Sequence, residues 1–226
     1  MCGRFSLTGG LEAIRRLIED LESATELAPR YNIAPTQGIA ILINDGTRLV
    51  RLARWGLVPA WARDEGMGER LFNARAETLA EKPSFKAQFR AKRCLVFADG
   101  FYEWRKTPGS AKKTPYYIRL IARESFAFAG LWDLWTDRTD ASRRLLSATI
   151  ITTSPNELVA PIHDRMPVIL PRETVWQWLA PGDTQLAALQ NLLAPYPPEK
   201  MEAFPVSLAV NNPGNESPDC VAPLSS

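Results

Sequence analysis

Arg93-Cys94-Leu95-Val96-Phe97-Ala98 runs into Asp99-Gly100-Phe101-Tyr102-Glu103-Trp104. The first half is an apolar strand; the second embeds one carboxylate among three aromatic side chains. Working outward, Gly38 to Ile43 and Thr47 to Trp55 read as the two strands of a hairpin, with Asn44-Asp45-Gly46 as its turn. On the other side, Tyr116 to Ala122, Ser125 to Trp132 and Leu145 to Thr153 are three further extended runs, after a polar, basic loop from Arg105 to Lys113. Val168 to Leu170 and Phe204 to Val210 add two more. Strands that follow one another directly predict an antiparallel or mixed sheet. Helical spacing is confined to short stretches: Leu11, Ile14, Leu17, Ile18 and Leu21 predict an amphipathic helix over 10–24, and shorter helices are expected over 83–92, 174–179 and 185–193. The fold class is therefore α+β, a sheet core with flanking short helices.

A chain of 226 residues, 46% of them hydrophobic, can bury a full core as one domain without staples. Three widely spaced cysteines, Cys2, Cys94 and Cys220, fit neither a disulfide framework nor a zinc site, and a single histidine, His163, leaves no His/Cys metal cluster; no metal and no cofactor are expected. There is no basic-then-apolar leader and no apolar run near the ~20 residues that span a bilayer. A cytoplasmic protein with no membrane partner is the expectation. A net charge of +2 is too mild to argue for nucleic acid by itself, although a local basic patch can hide inside that balance.

Chemistry concentrates in a few stretches. Met1-Cys2-Gly3-Arg4-Phe5 places a thiol where removal of one methionine leaves it beside the chain's own amine. Such a 1,2-aminothiol joins an amine of reference pKa about 8 to a thiol of about 8.5, both useful nucleophiles at neutral pH. The ordinary alternative is that Cys2 is merely a small second residue. Two tryptophans, Trp55 and Trp61, flank a Gly/Pro-broken segment; such rings either close over a core edge or stack on a ligand. Asn73 and Arg75 share one side of a strand-like segment that Glu77 continues, either facing a pocket or leaving Arg75 and Glu77 in a surface salt bridge. Burial among Phe101, Tyr102 and Trp104 would raise the pKa of Glu103 and let it trade protons near neutrality, unless it points outward from an edge strand. Thr152-Thr153-Ser154-Pro155-Asn156 offers hydroxyls whose usual task is helix capping. His163-Asp164-Arg165 gathers the imidazole, a carboxylate and a guanidinium just before a strand, although a lone histidine is more often structural than catalytic.

Taken together, Cys2-Gly3-Arg4-Phe5, Trp55-Gly56-Leu57 with Pro59 and Trp61, Asn73-Ala74-Arg75 with Glu77-Thr78, Arg93-Cys94-Leu95, Ala98 to Trp104 and His163-Asp164-Arg165-Met166-Pro167 resemble the SRAP family of SOS-response-associated peptidases and abasic-site-processing proteins. The likeness runs from residue 2 to about Asn211, with Phe97 standing where the family usually has proline. It implies a single SRAP-like domain over 2–211 with a barrel-like sheet, followed by a loose tail over 212–226. It also implies an enzyme that captures abasic sites in single-stranded DNA as a covalent thiazolidine on Cys2, shielding the lesion during the DNA damage response. By the same resemblance Asn73, Glu103 and His163 assist Cys2, Arg4, Arg75 and Arg165 grip phosphates, Trp61 stacks beside a base, and Pro35 and Thr152 touch the strand. A monomer is expected, associated with the nucleoid when acting on DNA, with the replication machinery as a candidate partner. Two alternatives stand beside this reading: a thiol (auto)peptidase with Cys2 as nucleophile, and a non-covalent single-stranded DNA-binding module.

Overall fold

In the computed structural model, residues 2–106, 109, 112–181 and 186–224 are described. Met1, residues 107, 108, 110 and 111 of the basic loop, Gln185 at the start of the fourth expected helix, and 225–226 lie outside them. The chain begins with strand β1 (Phe5–Leu7), helix α1 (Gly10–Leu17) and strands β2 (Glu22–Ser23) and β3 (Arg30–Ile33). The expected hairpin follows as β4 (Gly38–Ile43) and β5 (Leu49–Trp55). After β6 (Asn73–Arg75) and α2 (Lys86–Ala91) come β7 (Arg93–Ala98), β8 (Gly100–Lys106), β9 (Lys113–Leu120), β10 (Phe126–Thr136) and β11 (Arg144–Thr153). The short strands β12 (Met166–Pro167) and β13 (Ile169–Leu170), helices α3 (Val175–Leu179) and α4 (Leu186–Asn191), and β14 (Met201–Pro205) complete the order.

Five of these strands close on themselves. β11 pairs with β10, β10 with β7, β7 with β4 and β4 with β5, all antiparallel, and β5 returns to β11 in parallel at Ser147 and Ala148. The result is a small barrel, and it explains why β7 reads as one apolar run: every residue of it is buried. A second sheet, ordered β14-β9-β8-β1-β3, packs against the barrel. Phe5 of β1 meets Trp55 of β5 with ring centroids 5.0 Å apart and Phe128 of β10 at 5.8 Å, and Phe101 of β8 meets Phe128 at 6.1 Å. Edge-to-face pairs of this kind contribute about 1 kcal/mol each beyond their area, so the sheet that carries β1 is anchored through the rings nearest the N-terminus.

The Arg-Cys-Leu segment proves structural. Arg93 is fully buried, and its guanidinium donates to the carbonyls of Phe89 and Arg90 at the end of α2 and of Trp178 and Ala180 at the end of α3. Terminal helix carbonyls carry partial negative charge and lack intrahelical partners, so one cation clamps two helix ends onto the barrel.

Several expectations need correcting. The first helix stops at Leu17, because Ile18 is already extended and Asp20 adopts φ 56° before Glu22–Ser23 joins β5. Ile18 and Leu21 are still buried; an irregular chain satisfies their apolar spacing as well as a helix would. Arg105, Lys106 and Lys113 extend the β8–β9 pairing rather than forming loop. The last strand lies at Met201–Pro205, paired with β9, while Leu208–Asn211 forms a 3-10 turn. The segment expected as a loose tail packs back onto β3: the Asn32 amide donates to the carbonyls of Val210, Asn212 and Asn215, Glu216 accepts from the backbone of Tyr31 and Asn32, and Cys220 is fully buried. Polar side chains from a distant strand hold it, which its Pro/Ser/Asn-rich composition does not reveal.

Candidate functional site

The Ala-Asp-Gly segment positions the N-terminus. Asp99 accepts from the hydroxyls of Ser6 and Thr8, and Ser6 Oγ lies 2.8 Å from the hydroxyl of Tyr117. A Cβ on Gly100 would run into the Tyr117 ring, so only glycine lets that ring close over β1. Locked this way, β1 pairs with β8 in the register Phe5↔Phe101 and Ser6↔Gly100, and Tyr102 donates its amide to the Arg4 carbonyl. Continuing the antiparallel register brings the residues just after Cys2 alongside Glu103.

Four chemically active side chains meet there. Cys2 is fully buried, its thiol 3.7 Å from the Arg4 carbonyl. Asn73 of β6 donates its amide nitrogen to the Cys2 carbonyl at 2.6 Å, while its amide oxygen is buried with no hydrogen-bond partner among the described residues. Burial pushes the Cys2 thiol up, and the neighbouring Glu103 carboxylate pushes it further. Glu103, itself 2% exposed, is pushed up to about 7 by burial, with Asp164 adding to the shift and Lys113 opposing it. Its Oε2 lies 3.8 Å from His163 Nε2. The backbone amide of Arg165 donates to His163 Nδ1 at 3.0 Å, which places the proton of a neutral ring on Nε2, facing Glu103. Asp164 Oδ1, 2.9 Å from the same Nδ1, favours the charged ring; burial acts the other way and prevails, leaving the imidazole below its ordinary value. The site therefore holds a carboxyl that changes protonation near neutrality and an imidazole that burial holds toward its neutral form, beside a thiol that resists ionisation. Among the described residues no group of three or more His, Cys, Asp or Glu could hold a metal.

The residues expected to touch DNA differ in how available they are. Arg75 is exposed, and its guanidinium makes no direct hydrogen bond or ion pair among the described residues; Trp61 is 50% exposed, whereas Trp55 is a core ring whose indole donates to the Phe72 carbonyl. The break between the two rings turns on Gly56, at φ 129° and packed so closely on Gly68 that a Cβ would collide with its carbonyl. Pro35 is half-buried in the turn after β3. Arg4 and Arg165 are already engaged. Arg4 donates to Asn32 Oδ1 at 2.8 Å and to the carbonyls of Val210 at 2.6 Å and Asn211 at 3.3 Å. Arg165 forks onto Glu77 and also donates to the Thr152 carbonyl. Thr152 is fully buried, so instead of facing a ligand it holds Arg165 and donates to the Ala74 carbonyl of β6. The helix whose cap was read for its neighbourhood does not form; Asn156 instead caps a turn, accepting from the Val159 amide.

Two residues escaped the sequence reading. Asn32, fully buried, links Arg4 to the C-terminal segment; a lone amide within Tyr31-Asn32-Ile33-Ala34 was its only local signal. Glu77 pairs with Arg165 and not Arg75, because the chain leaves the strand after Arg75 and turns through Ala76–Thr78.

Similarity to known proteins extends over nearly the whole chain. A model of the family described as SOS response associated peptidase (SRAP) matches residues 1–213. The chain is 48% identical over 225 residues to abasic site processing protein YoqW of Bacillus subtilis (strain 168), covering 98% of this chain and 99% of that one. It is 33% identical over 227 residues to abasic site processing protein HMCES of Xenopus tropicalis, covering 87% of this chain and 66% of the relative. A crystal structure of a Bacteroides thetaiotaomicron protein superposes with a TM-score of 0.87 at 30% identity, covering 99% of this chain and all of that one.

Proposed function

From the premise that this chain belongs to the SOS response associated peptidase (SRAP) family, we propose that it processes abasic sites in single-stranded DNA by covalent capture on Cys2 once Met1 has been removed. The observation that carries this reading is the meeting of Cys2, Asn73, Glu103 and His163 at the N-terminal end of β1.

The abasic sugar must first open. A carboxylate at Glu103 takes the proton of the C1′ hydroxyl and returns it to O4′ as the C1′–O4′ bond breaks, leaving an aldehyde at C1′ and a hydroxyl at C4′. The amine of Cys2 adds to the aldehyde carbon and water leaves, giving an imine; the thiol then adds across the C=N bond, sulfur bonding to carbon and the thiol proton ending on nitrogen. The product is a five-membered thiazolidine, and the balance is the two reactants minus one water. Because Glu103 titrates at about 7, it can act in either direction within this sequence. Burial that holds the thiol protonated favours attack by the amine first, with the thiol closing the ring only after an acceptor for its proton exists.

The same burial counts against the peptidase reading, which needs a thiolate as first nucleophile. Exposed Arg75 and Trp61 are the groups suited to strand contact: a guanidinium for phosphate and an indole for base stacking. The test is a denaturing gel after incubation with an oligonucleotide bearing one abasic site, beside an undamaged control. A lesion-dependent band of reduced mobility is expected. No such band, with cleavage of a fluorogenic peptide panel instead, would replace this reading with the peptidase one; salt-sensitive binding with no adduct would leave a non-covalent module.

A further inference from the structure

Arg165 already holds an anion supplied by its own chain. Its Nη1 donates to Glu77 Oε1 at 2.6 Å and its Nη2 to Oε2 at 2.9 Å, the two-pronged geometry with which a guanidinium takes a carboxylate or a phosphate. A further contact from Nη2 goes to the Thr152 carbonyl at 2.6 Å. The pair is lopsided in exposure: the Arg165 side chain is 15% exposed and that of Glu77 51%. The carboxylate therefore lies on the solvent side of the cation, where an incoming anion would have to sit. Arg165 Nε is buried with no hydrogen-bond partner among the described residues, so the guanidinium is gripped but not saturated there. Glu77 reaches this place only because the chain turns through Ala76–Thr78 immediately after Arg75, the exposed cation of the same segment.

We propose that Glu77 is an internal stand-in for a DNA phosphate: it occupies the Arg165 fork in the free protein, is displaced when a strand docks, and so sets a threshold against indiscriminate binding to single-stranded DNA. The inference rests on the single-stranded DNA reading above and adds a specificity-determining residue to it. Its consequence is electrostatic. A phosphate gripped by an unpaired arginine releases a counterion, whereas a phosphate that displaces Glu77 frees a carboxylate that gathers a counterion again. The exchange leaves Arg165 with almost no net share in the salt dependence of binding.

Fluorescence anisotropy with an undamaged single-stranded oligonucleotide, over a salt series from about 50 to 200 mM, tests this on four proteins: wild type, Glu77→Gln, Arg165→Gln and the double variant. Glu77→Gln is expected to bind about fivefold tighter at the lower end of the series, the upper worth of an exposed ion pair. Its log K against log salt should be steeper by about 0.7, the contribution of one phosphate on a single strand. The gain should vanish in the double variant. Arg165→Gln alone should leave the wild-type slope unchanged, a comparison that does not depend on how well the Glu77 variant folds. Glu77→Gln that binds equally or more weakly at unchanged slope, or Arg165→Gln that flattens the wild-type slope by about 0.7, overturns the proposal and makes Glu77 a support for Arg165. A wild type that binds no undamaged strand and forms no adduct with an abasic one overturns the DNA reading itself, an outcome distinct from either.

Discussion

Cys2 and Cys94 are both fully buried, and burial pushes both thiols up. Their surroundings differ completely. Cys94 sits in the wall of the barrel, where β7 pairs with β4 and β10, and burial alone accounts for its shift. Cys2 sits just before β1, with an amide on its carbonyl, a carboxyl that adds to its shift, and that carboxyl's imidazole neighbour. Burial makes a thiol inert; under the proposed function, the groups that can pass protons around Cys2 and the amine exposed by loss of Met1 are what separate it from Cys94.

The largest expected effect separates the two directly. Cys2→Ala should abolish the heat-stable adduct with abasic oligonucleotide, whereas Cys94→Ala should leave its yield unchanged, read on the same denaturing gel. Equal loss in both would break the comparison. Next comes Glu103→Gln, which should slow adduct formation about 100-fold, the lower range for a positioned acid or base, and should remove the inflection near pH 7 from the rate profile. The same variant has a stability signature of definite sign. A carboxyl raised from 4.5 to about 7 on folding contributes stability that is present below pH 4.5 and lost as pH rises through 7. Glu103→Gln, which never ionises, should therefore melt about 5 °C above wild type at pH 8 and level with it at pH 4, measured by thermal denaturation. Unchanged melting at pH 8 would mean that Glu103 is solvated in the protein.

A smaller effect is expected at Asn73, whose amide holds the Cys2 carbonyl at 2.6 Å. Asn73→Ala should slow single-turnover adduct formation about tenfold, a loss of about 1.4 kcal/mol typical of one buried hydrogen bond, with little change in binding to the undamaged strand. An equal loss of binding would assign Asn73 to the strand and not to Cys2. The smallest effect lies on the structural thiol: Cys94→Ser, placing a hydroxyl in the apolar wall, should cost about 2 kcal/mol of stability in denaturant unfolding and nothing in adduct yield.

The barrel was legible because its strands obey local rules. Gly38–Ile43 and Arg93–Ala98 are apolar runs bounded by turn residues, and both occur as read. Ring closure was not legible, since the parallel contact of Ser147–Ala148 with Arg54–Trp55 joins strands about ninety residues apart and leaves no local pattern. The chemical cluster was partly legible: the aromatic frame around Glu103 signals burial, and that burial is the first cause of its shift. Partnerships were not. Glu77 looked like a neighbour of Arg75, and no local pattern marks Asn32, because the partners of both lie more than eighty positions away.

Intact mass spectrometry of the purified protein, before and after incubation with a single-stranded oligonucleotide carrying one abasic site, tests the aminothiol directly. A starting mass lacking Met1 and a lesion-dependent gain equal to the oligonucleotide minus one water, absent in Cys2→Ala, are expected. A chain that has lost Met1 and still gains no mass, or a Cys2→Ala variant that gains it equally, would contradict capture by Cys2.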